Sequence, residues 1–107
     1  MSTLTLSDVR HIAQASAKEH GVREMYVYGS VSRGDADSES DVDFVYQLEK
    51  GQKATAGVIL SLKESLERGF GKPVSLLSMR VLKFNAEHSK SGKMFYDSIR
   101  PDLKRVV

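Results

Sequence analysis

Residues 29–43 read Gly-Ser-Val-Ser-Arg-Gly-Asp-Ala-Asp-Ser-Glu-Ser-Asp-Val-Asp, and this stretch is the most informative part of the chain. The turn at Gly29 and Ser30 is of a kind that binds phosphate, and two carboxylates, Asp41 and Asp43, follow it. The apolar run at residues 44–46 predicts that the second carboxylate lies in a strand. Side chains alternate along a strand, so both carboxylates face one side, with Cα atoms about 6 to 7 Å apart. Two like charges that close favour a shared cation, and the pattern therefore predicts Mg²⁺ beside a phosphate-bearing ligand.

The spacing of these residues matches a known family signature. The signature consists of a turn, here Gly29-Ser30 with Arg33-Gly34, and a strand entry, here Ser40-Asp41-x-Asp43. With this pattern the chain resembles the minimal nucleotidyltransferases (MNT) of the DNA polymerase beta-like superfamily, of the HEPN/MNT toxin–antitoxin type. The resemblance implies an α/β fold, with a small mixed β-sheet and flanking helices, and a single domain over residues 1–107.

The turn and the carboxylate pair make up the candidate site. Asp41 and Asp43 are the predicted catalytic residues and metal ligands, holding a Mg²⁺ ion that bridges phosphate oxygens of ATP. Gly29 lets the backbone turn sharply and approach a ligand, and Ser30 offers amides and a hydroxyl to the β- and γ-phosphates. The predicted nucleotide-binding residues are Gly29, Ser30, Arg33 and Ser40.

Four polar or aromatic residues near the site have a second, structural interpretation. Arg33 either pairs with phosphate or joins the turn to the acidic loop through Asp35 or Asp37. Ser40 either contacts the nucleotide or fixes the strand entry by bonding nearby backbone. Tyr26 and Tyr28, in the first strand, either stack on a base or belong to the core.

One position departs from the family pattern. Enzymes of this superfamily usually supply a third carboxylate from a later strand, and the corresponding residue here is Ser75. A hydroxyl is a weak Mg²⁺ ligand and a poor base, so the loss of the carboxylate is expected to cost several kcal/mol of transition-state stabilisation. Each 1.4 kcal/mol corresponds to about a tenfold lower rate. Glu39 or Glu87 could supply the missing charge. We expect nucleotide binding to survive this change while turnover falls.

Two functions fit these residues. The first is Mg²⁺-dependent transfer of AMP from ATP to a hydroxyl. A chain of 107 residues leaves little room for an acceptor-binding domain, so we expect the acceptor to be a second protein. The resemblance implies a tyrosine of a cognate HEPN-family toxin, which the chain would neutralise as an antitoxin. The alternative is a catalytically impaired protein of the same fold that neutralises a partner by binding alone, because Ser75 replaces the third carboxylate. A homo-oligomer is compatible with either function.

Composition bounds the remaining classes of function. The chain has no apolar run near the ~20 residues of a membrane span, no signal-peptide pattern and no cysteine, so we expect a cytoplasmic protein without a membrane partner. Residues 1–49 carry four Lys/Arg against nine Asp/Glu, a balance of −5, whereas residues 50–107 carry twelve against five, a balance of +7. The basic residues are scattered and no aromatic residues interleave with them, which disfavours a nucleic-acid-binding function.

Hydrophobic periodicity predicts an alternation of helices and strands. We expect helices at residues 7–20, 53–68 and 81–90, a helical turn at 30–33, and strands at 23–28, 41–48, 73–78 and 94–96. In the second strand, alternate residues from Val42 onward are expected to face one side and Asp43 the other. Gly92 is expected to turn the chain into the last strand, and the basic tail from Arg100 onward is expected to be frayed.

Overall fold

The structure is a computed structural model that describes residues 4–35 and 39–107. Within these ranges helices and strands alternate for most of the chain, as the sequence predicts. The elements are α1 (Leu6–His20), β1 (Val22–Tyr28), α2 (Ser30–Arg33), β2 (Val42–Leu48), α3 (Ala56–Phe70), β3 (Val74–Ser78), α4 (Met79–His88), α5 (Lys90–Ile99), a 3₁₀ turn (Arg100–Asp102) and β4 (Lys104–Arg105).

The four strands form one mixed sheet in the order β3-β2-β1-β4. Strand β1 runs antiparallel to both β2 and β4, whereas β2 and β3 are parallel. Parallel neighbours need a long crossover connection, and α3 provides it between the end of β2 and the start of β3. The sheet and its flanking helices confirm the predicted fold class.

Short polar residues and glycines set the ends of the two long helices. At the start of α1, the Asp8 N–H donates to the Thr5 hydroxyl at 3.1 Å, and the Thr5 N–H donates to the Asp8 carboxylate at 3.1 Å, which is a capping box. Gly21 ends this helix in the left-handed conformation, at φ 68°. At the start of α3, the Val58 N–H donates to the Thr55 hydroxyl at 3.2 Å, and Gly71 ends the helix at φ 65°. These local signals explain why the predicted ranges of both helices lie close to the observed ones.

The sheet separates two apolar clusters. On one face, buried residues of α1, β2 and α3 pack together, among them Val9, Phe44 and Leu62. On the other face, Val45 packs against α4 and α5. Phe44 and Val45 are consecutive, fully buried and on opposite faces, as the alternation of a strand requires. The predicted assignment of faces in β2 is thus confirmed, and the same alternation places Asp43 on the face of Val45.

The predicted strand at residues 94–96 is wrong, because these residues lie inside helix α5. Gly92 does not turn the chain. It lies in the same helix, at a point where an added Cβ would overlap the backbone carbonyl of Asn85 in α4. The missing side chain lets the two helices pack closely. This use of glycine depends on a neighbouring helix and has no local signature in the sequence.

The prediction of a frayed tail is also wrong. Lys104 and Arg105 form β4 against β1, and Val106 is buried in the core behind them. The Val106 N–H donates to the carbonyl of Met25 at 2.8 Å, which ties the segment to the sheet. The charged side chains stay exposed, so composition alone suggested a solvated tail.

In the part of the chain that the structure describes, no helix combines the length and apolar character needed to cross a bilayer.

Candidate active site

Gly29 connects β1 to α2 and brings the turn against Asp43. Its backbone adopts φ 77° and ψ −151°, a conformation that only glycine adopts without strain. An ideal Cβ at this position would lie 2.8 Å from the Asp43 Oδ2 atom. The absent side chain therefore leaves space in which the turn and the carboxylate are in direct proximity.

Ser30 is the first residue of α2, immediately after this turn. The helix has a single turn, closed by hydrogen bonds from the Arg33 N–H to the Gly29 carbonyl at 3.1 Å and from the Asp35 N–H to the Ser30 carbonyl at 2.8 Å. The first amides of a helix have no acceptor within the helix itself. Together with the Ser30 hydroxyl, they form the kind of donor group that holds phosphate oxygens.

Asp41 and Asp43 are close enough to interact electrostatically. Asp43 is half-buried in β2, whereas Asp41 is exposed just before the strand begins. Burial raises the pKa of the Asp43 carboxyl above its ordinary value, and the charge of Asp41 raises this pKa further. The pair therefore concentrates negative charge in a partly desolvated position, which a cation would relieve.

The donor set of this pair fits Mg²⁺. Magnesium in proteins is commonly held by one or two carboxylates, with phosphate and water oxygens completing the coordination. Within residues 4–35 and 39–107 there is no group of three or more His, Asp or Glu side chains that could hold a metal ion. Asp41 and Asp43 would hold the ion, and the phosphates of a nucleotide at Ser30 would supply further oxygens.

Ser75 occupies the register position next to Asp43. The two residues are partners in the parallel pairing of β2 with β3, and the Ser75 side chain is exposed. An acidic residue here would therefore lie on the same face as Asp43, on the neighbouring strand. Of the two substitutes considered for the missing carboxylate, Glu87 is excluded because it lines a groove with Leu48, at the opposite end of β2. Glu39 is exposed shortly before Asp41.

Arg33 is held by two carboxylates. Its guanidinium donates from Nε to Asp35 at 3.1 Å and from Nη1 to Asp102 at 2.8 Å. The Asp35 contact is the structural interpretation suggested by the sequence, while Asp37 lies outside the described residues. The contact with Asp102 was not anticipated, since the two residues are far apart in the chain. The other predicted nucleotide-binding residue, Ser40, is half-buried directly before Asp41.

Tyr28, for which the sequence left base stacking and a core position open, is a neighbour of Asp43. The two residues are partners in the antiparallel pairing of β1 with β2. Burial raises the pKa of the Tyr28 phenol, and the nearby charge of Asp43 raises it further. Tyr28 also packs against the apolar cluster beneath α4 and α5, in line with the core interpretation.

A groove of about 620 Å³ is lined by Asp41, Ser75 and, from α3, Lys63, but not by Asp43 or the turn at Gly29. A larger groove of about 770 Å³ lies at the other end of β2 and β3, where Leu48 and Phe84 line it. The larger groove contains neither aspartate of the pair nor the turn at Gly29. Charge and backbone geometry converge at the carboxylates, which therefore form the candidate site, whereas the larger groove does not.

Comparison with known proteins gives matches over most of the chain. The profile of the family "Polymerase beta, Nucleotidyltransferase" matches residues 10–100. Protein adenylyltransferase MntA of Thermococcus cleftensis is 37% identical over 87 residues, which cover 78% of this chain and 86% of that protein. A protein of Methanocaldococcus jannaschii, provisionally named a protein adenylyltransferase, is 28% identical over 82 residues, covering 73% of this chain and 82% of its own length.

Two solved structures have the same fold. One, provisionally described as a minimal nucleotidyltransferase, has a TM-score of 0.66 and 25% identity, and the match covers 97% of this chain and 98% of the other. A second, a crystal structure of a toxin–antitoxin with AMP-PNP, has a TM-score of 0.57 and 14% identity, and the match covers 89% of this chain and 83% of the other. The second likeness is one of fold alone.

Proposed function

Because this chain belongs to the polymerase beta nucleotidyltransferase family, we propose that it transfers AMP from ATP to a hydroxyl of a partner protein. The proposed acceptor is a tyrosine of a cognate HEPN-type toxin, which the modification would neutralise, so that the chain acts as an antitoxin. The observation that supports the proposal is the close approach of the turn at Gly29 to Asp43, with Asp41 near enough to raise the pKa of the Asp43 carboxyl.

Each residue of the site has a defined task in this reaction. The turn at Ser30 would bind the β- and γ-phosphates and hold the α-phosphorus in front of the carboxylates. Asp41 and Asp43 would hold Mg²⁺, which neutralises phosphate charge and lowers the pKa of an attacking hydroxyl. The acceptor oxygen forms a bond to the α-phosphorus, the bond to the β-phosphate bridging oxygen breaks, and pyrophosphate leaves.

A protein acceptor is supported by the relatives. The relative from Thermococcus cleftensis, with 37% identity over 78% of this chain, is named a protein adenylyltransferase. The described residues form the sheet, its flanking helices and the turn at Ser30. In this proposal, the surface that presents the acceptor hydroxyl therefore belongs to the partner protein.

One observation favours a second candidate, in which the chain neutralises its partner by binding alone. Ser75 stands beside Asp43 in the sheet, where the family usually provides a third carboxylate. Without that charge the second metal position of a two-metal site would be weak, and turnover would fall before nucleotide binding is lost.

The Asp41→Asn/Asp43→Asn double variant distinguishes the two candidates. The protein is mixed with the product of the neighbouring gene, Mg²⁺ and ATP labelled at the α-phosphate, and label on the partner is followed together with partner activity. Enzymatic action predicts labelled partner with the unaltered chain, and loss of both label and neutralisation with the double variant.

The matched control is Glu87→Gln/Asp97→Asn, which removes two exposed carboxylates of α4 and α5 and is expected to label the partner normally. Full neutralisation by the Asp41→Asn/Asp43→Asn variant, with no label from the unaltered chain, would establish the binding-only function instead.

A further inference from the structure

The C-terminal segment after α5 returns to the site along the edge of the sheet. In β4, Lys104 pairs with Val27 of β1, so this segment lies next to the strand that leads into the turn. Val106 is buried and its N–H donates to the Met25 carbonyl at 2.8 Å, which anchors the segment to the core. The segment is thus a rigid neighbour of α2 rather than a loose tail.

Three interactions connect this segment to α2. The Lys104 Nζ donates to the Ser32 carbonyl at 2.7 Å. The Ser32 hydroxyl, which is buried, donates to the backbone carbonyl of Asp102. The Asp102 carboxylate accepts from Arg33 Nη1 at 2.8 Å. The C-terminal segment therefore holds the backbone and side chain of Ser32 and the side chain of Arg33.

A helix of four residues has no stability of its own, because the cost of forming the first turn is not recovered by further hydrogen bonds. Its orientation must be imposed by its surroundings. On its C-terminal side, α2 is followed by Gly34 in the left-handed conformation and then by Asp35, whose carboxylate is largely exposed. The bonds to Asp102 and Lys104, by contrast, come from a segment fixed to the sheet.

We propose that Asp102 and Lys104 are positioning residues, which hold α2 so that the turn at Ser30 is already in its phosphate-binding conformation before nucleotide arrives. This inference rests on the proposed function, since it assigns the turn to phosphate binding. Preorganisation of this kind raises affinity because the turn need not be ordered when the ligand binds. Lys104 and Asp102 act through the residues of α2 to which they bond, Ser32 and Arg33.

The three interactions together form a tether, and each of two variants weakens it at one interaction with little change in shape. Lys104→Met keeps the apolar stem but removes the donor to Ser32, and Asp102→Asn removes the charge that faces Arg33. The matched controls are Arg105→Met, whose side chain bonds to the Val107 carbonyl, and Asp35→Asn, which removes the other carboxylate partner of Arg33.

The first measurement is hydrogen exchange of the Arg33, Gly34 and Asp35 amides, which close α2. We expect both tether variants to exchange these amides at least fivefold faster, while amides of α1 and α3 keep their rates. The second measurement is calorimetric titration with Mg²⁺ and ATP, where the dissociation constant is expected to rise about fivefold to twentyfold in Lys104→Met and Asp102→Asn. Lys104→Arg is expected to restore most of the affinity, and the two controls to bind as the unaltered chain does.

Unchanged amide exchange rates at α2 in both tether variants would overturn the inference. A uniform increase of the exchange rates in α1, α2 and α3 would also overturn it, because it would show that the two residues serve global stability only. Absence of ATP binding by the unaltered chain would instead refute the proposed function. The exchange measurement needs no nucleotide, so the two failures are distinguishable.

Discussion

Replacement of Gly29 by alanine tests the geometry on which the proposed site depends. The residue has φ 77° and ψ −151°, outside the regions open to an L-amino acid, and holding alanine there costs about 1 to 3 kcal/mol. The new Cβ would also lie 2.8 Å from Asp43 Oδ2. Because Oδ2 lies at the end of the Asp43 side chain, the carboxylate can rotate away from the new methyl group. The methyl group would therefore displace a predicted metal ligand rather than clash with rigid backbone.

We therefore expect Gly29→Ala to lower the free energy of unfolding by about 2 to 3 kcal/mol, which in a domain of this size lowers Tm by about 4 °C or more for each kcal/mol. A displacement of about 1 Å at a reacting centre costs about 100-fold in rate. Thermal unfolding, titration with Mg²⁺ and ATP, and transfer of labelled AMP to the partner measure the three effects separately.

Gly34→Ala is the matched control. Gly34 also has a positive φ, 79°, but its ψ of 15° lies in the left-handed helical region and nothing lies within 4 Å of an added Cβ. Alanine there should cost about 1 kcal/mol and leave ATP binding intact. Equal losses of ATP affinity in both variants, or unchanged affinity and transfer in Gly29→Ala, would refute the inference that the turn and Asp43 act together.

Three further results are expected. Ser75→Asp adds a third carboxylate beside Asp43. In EDTA it should lower the free energy of unfolding by about 1 to 3 kcal/mol through like-charge repulsion. It should also raise AMP transfer from labelled ATP by about tenfold or more, and unchanged transfer would show that this register position is not a ligand site. Asp43→Asn should raise Tm at neutral pH without divalent cations, because the raised pKa of Asp43 means that its favourable contribution is present only at acidic pH and is lost as pH rises through that pKa. The gain should shrink as pH is lowered toward the ordinary aspartate range, and a gain that persists there would contradict this cause. Gly92→Ala should cost about 1 to 3 kcal/mol in denaturant unfolding, because the methyl group overlaps the Asn85 carbonyl where α4 and α5 cross, whereas Gly57→Ala, with nothing within 4 Å, should cost nothing.

The reliable predictions were those that depend on neighbours in the chain. Alternating burial in β2 follows from the order of Val42, Asp43, Phe44 and Val45, since a strand sends successive side chains to opposite faces. The C-terminal ends of α1 and α3 follow from Gly21 and Gly71, which come directly after these helices in the left-handed conformation. The spacing of the turn and the two aspartates also predicted that they form one site, and the antiparallel pairing of β1 with β2 brings Gly29 next to Asp43.

The failures have one physical cause in common. Gly92 was interpreted from its own flexibility, but its role is to make room for the backbone of α4. The tail was interpreted from its charged residues, but β4 exists because the edge of β1 offers hydrogen-bond partners and the core accepts Val106. Neither partner is adjacent in the chain, so no local pattern could indicate them.

Residue order alone was sufficient for the family signature, the order of most elements and the candidate phosphate and metal residues, since each of these depends on conformational preferences and spacings within a few residues. Tertiary packing assigned Arg33 to Asp35 and Asp102, placed Lys104 against Ser32, and set Ser75 beside Asp43. Most of these contacts join residues distant in the chain, whose proximity results from burial of a shared core and pairing of strands, and that free energy belongs to the whole fold rather than to any single segment.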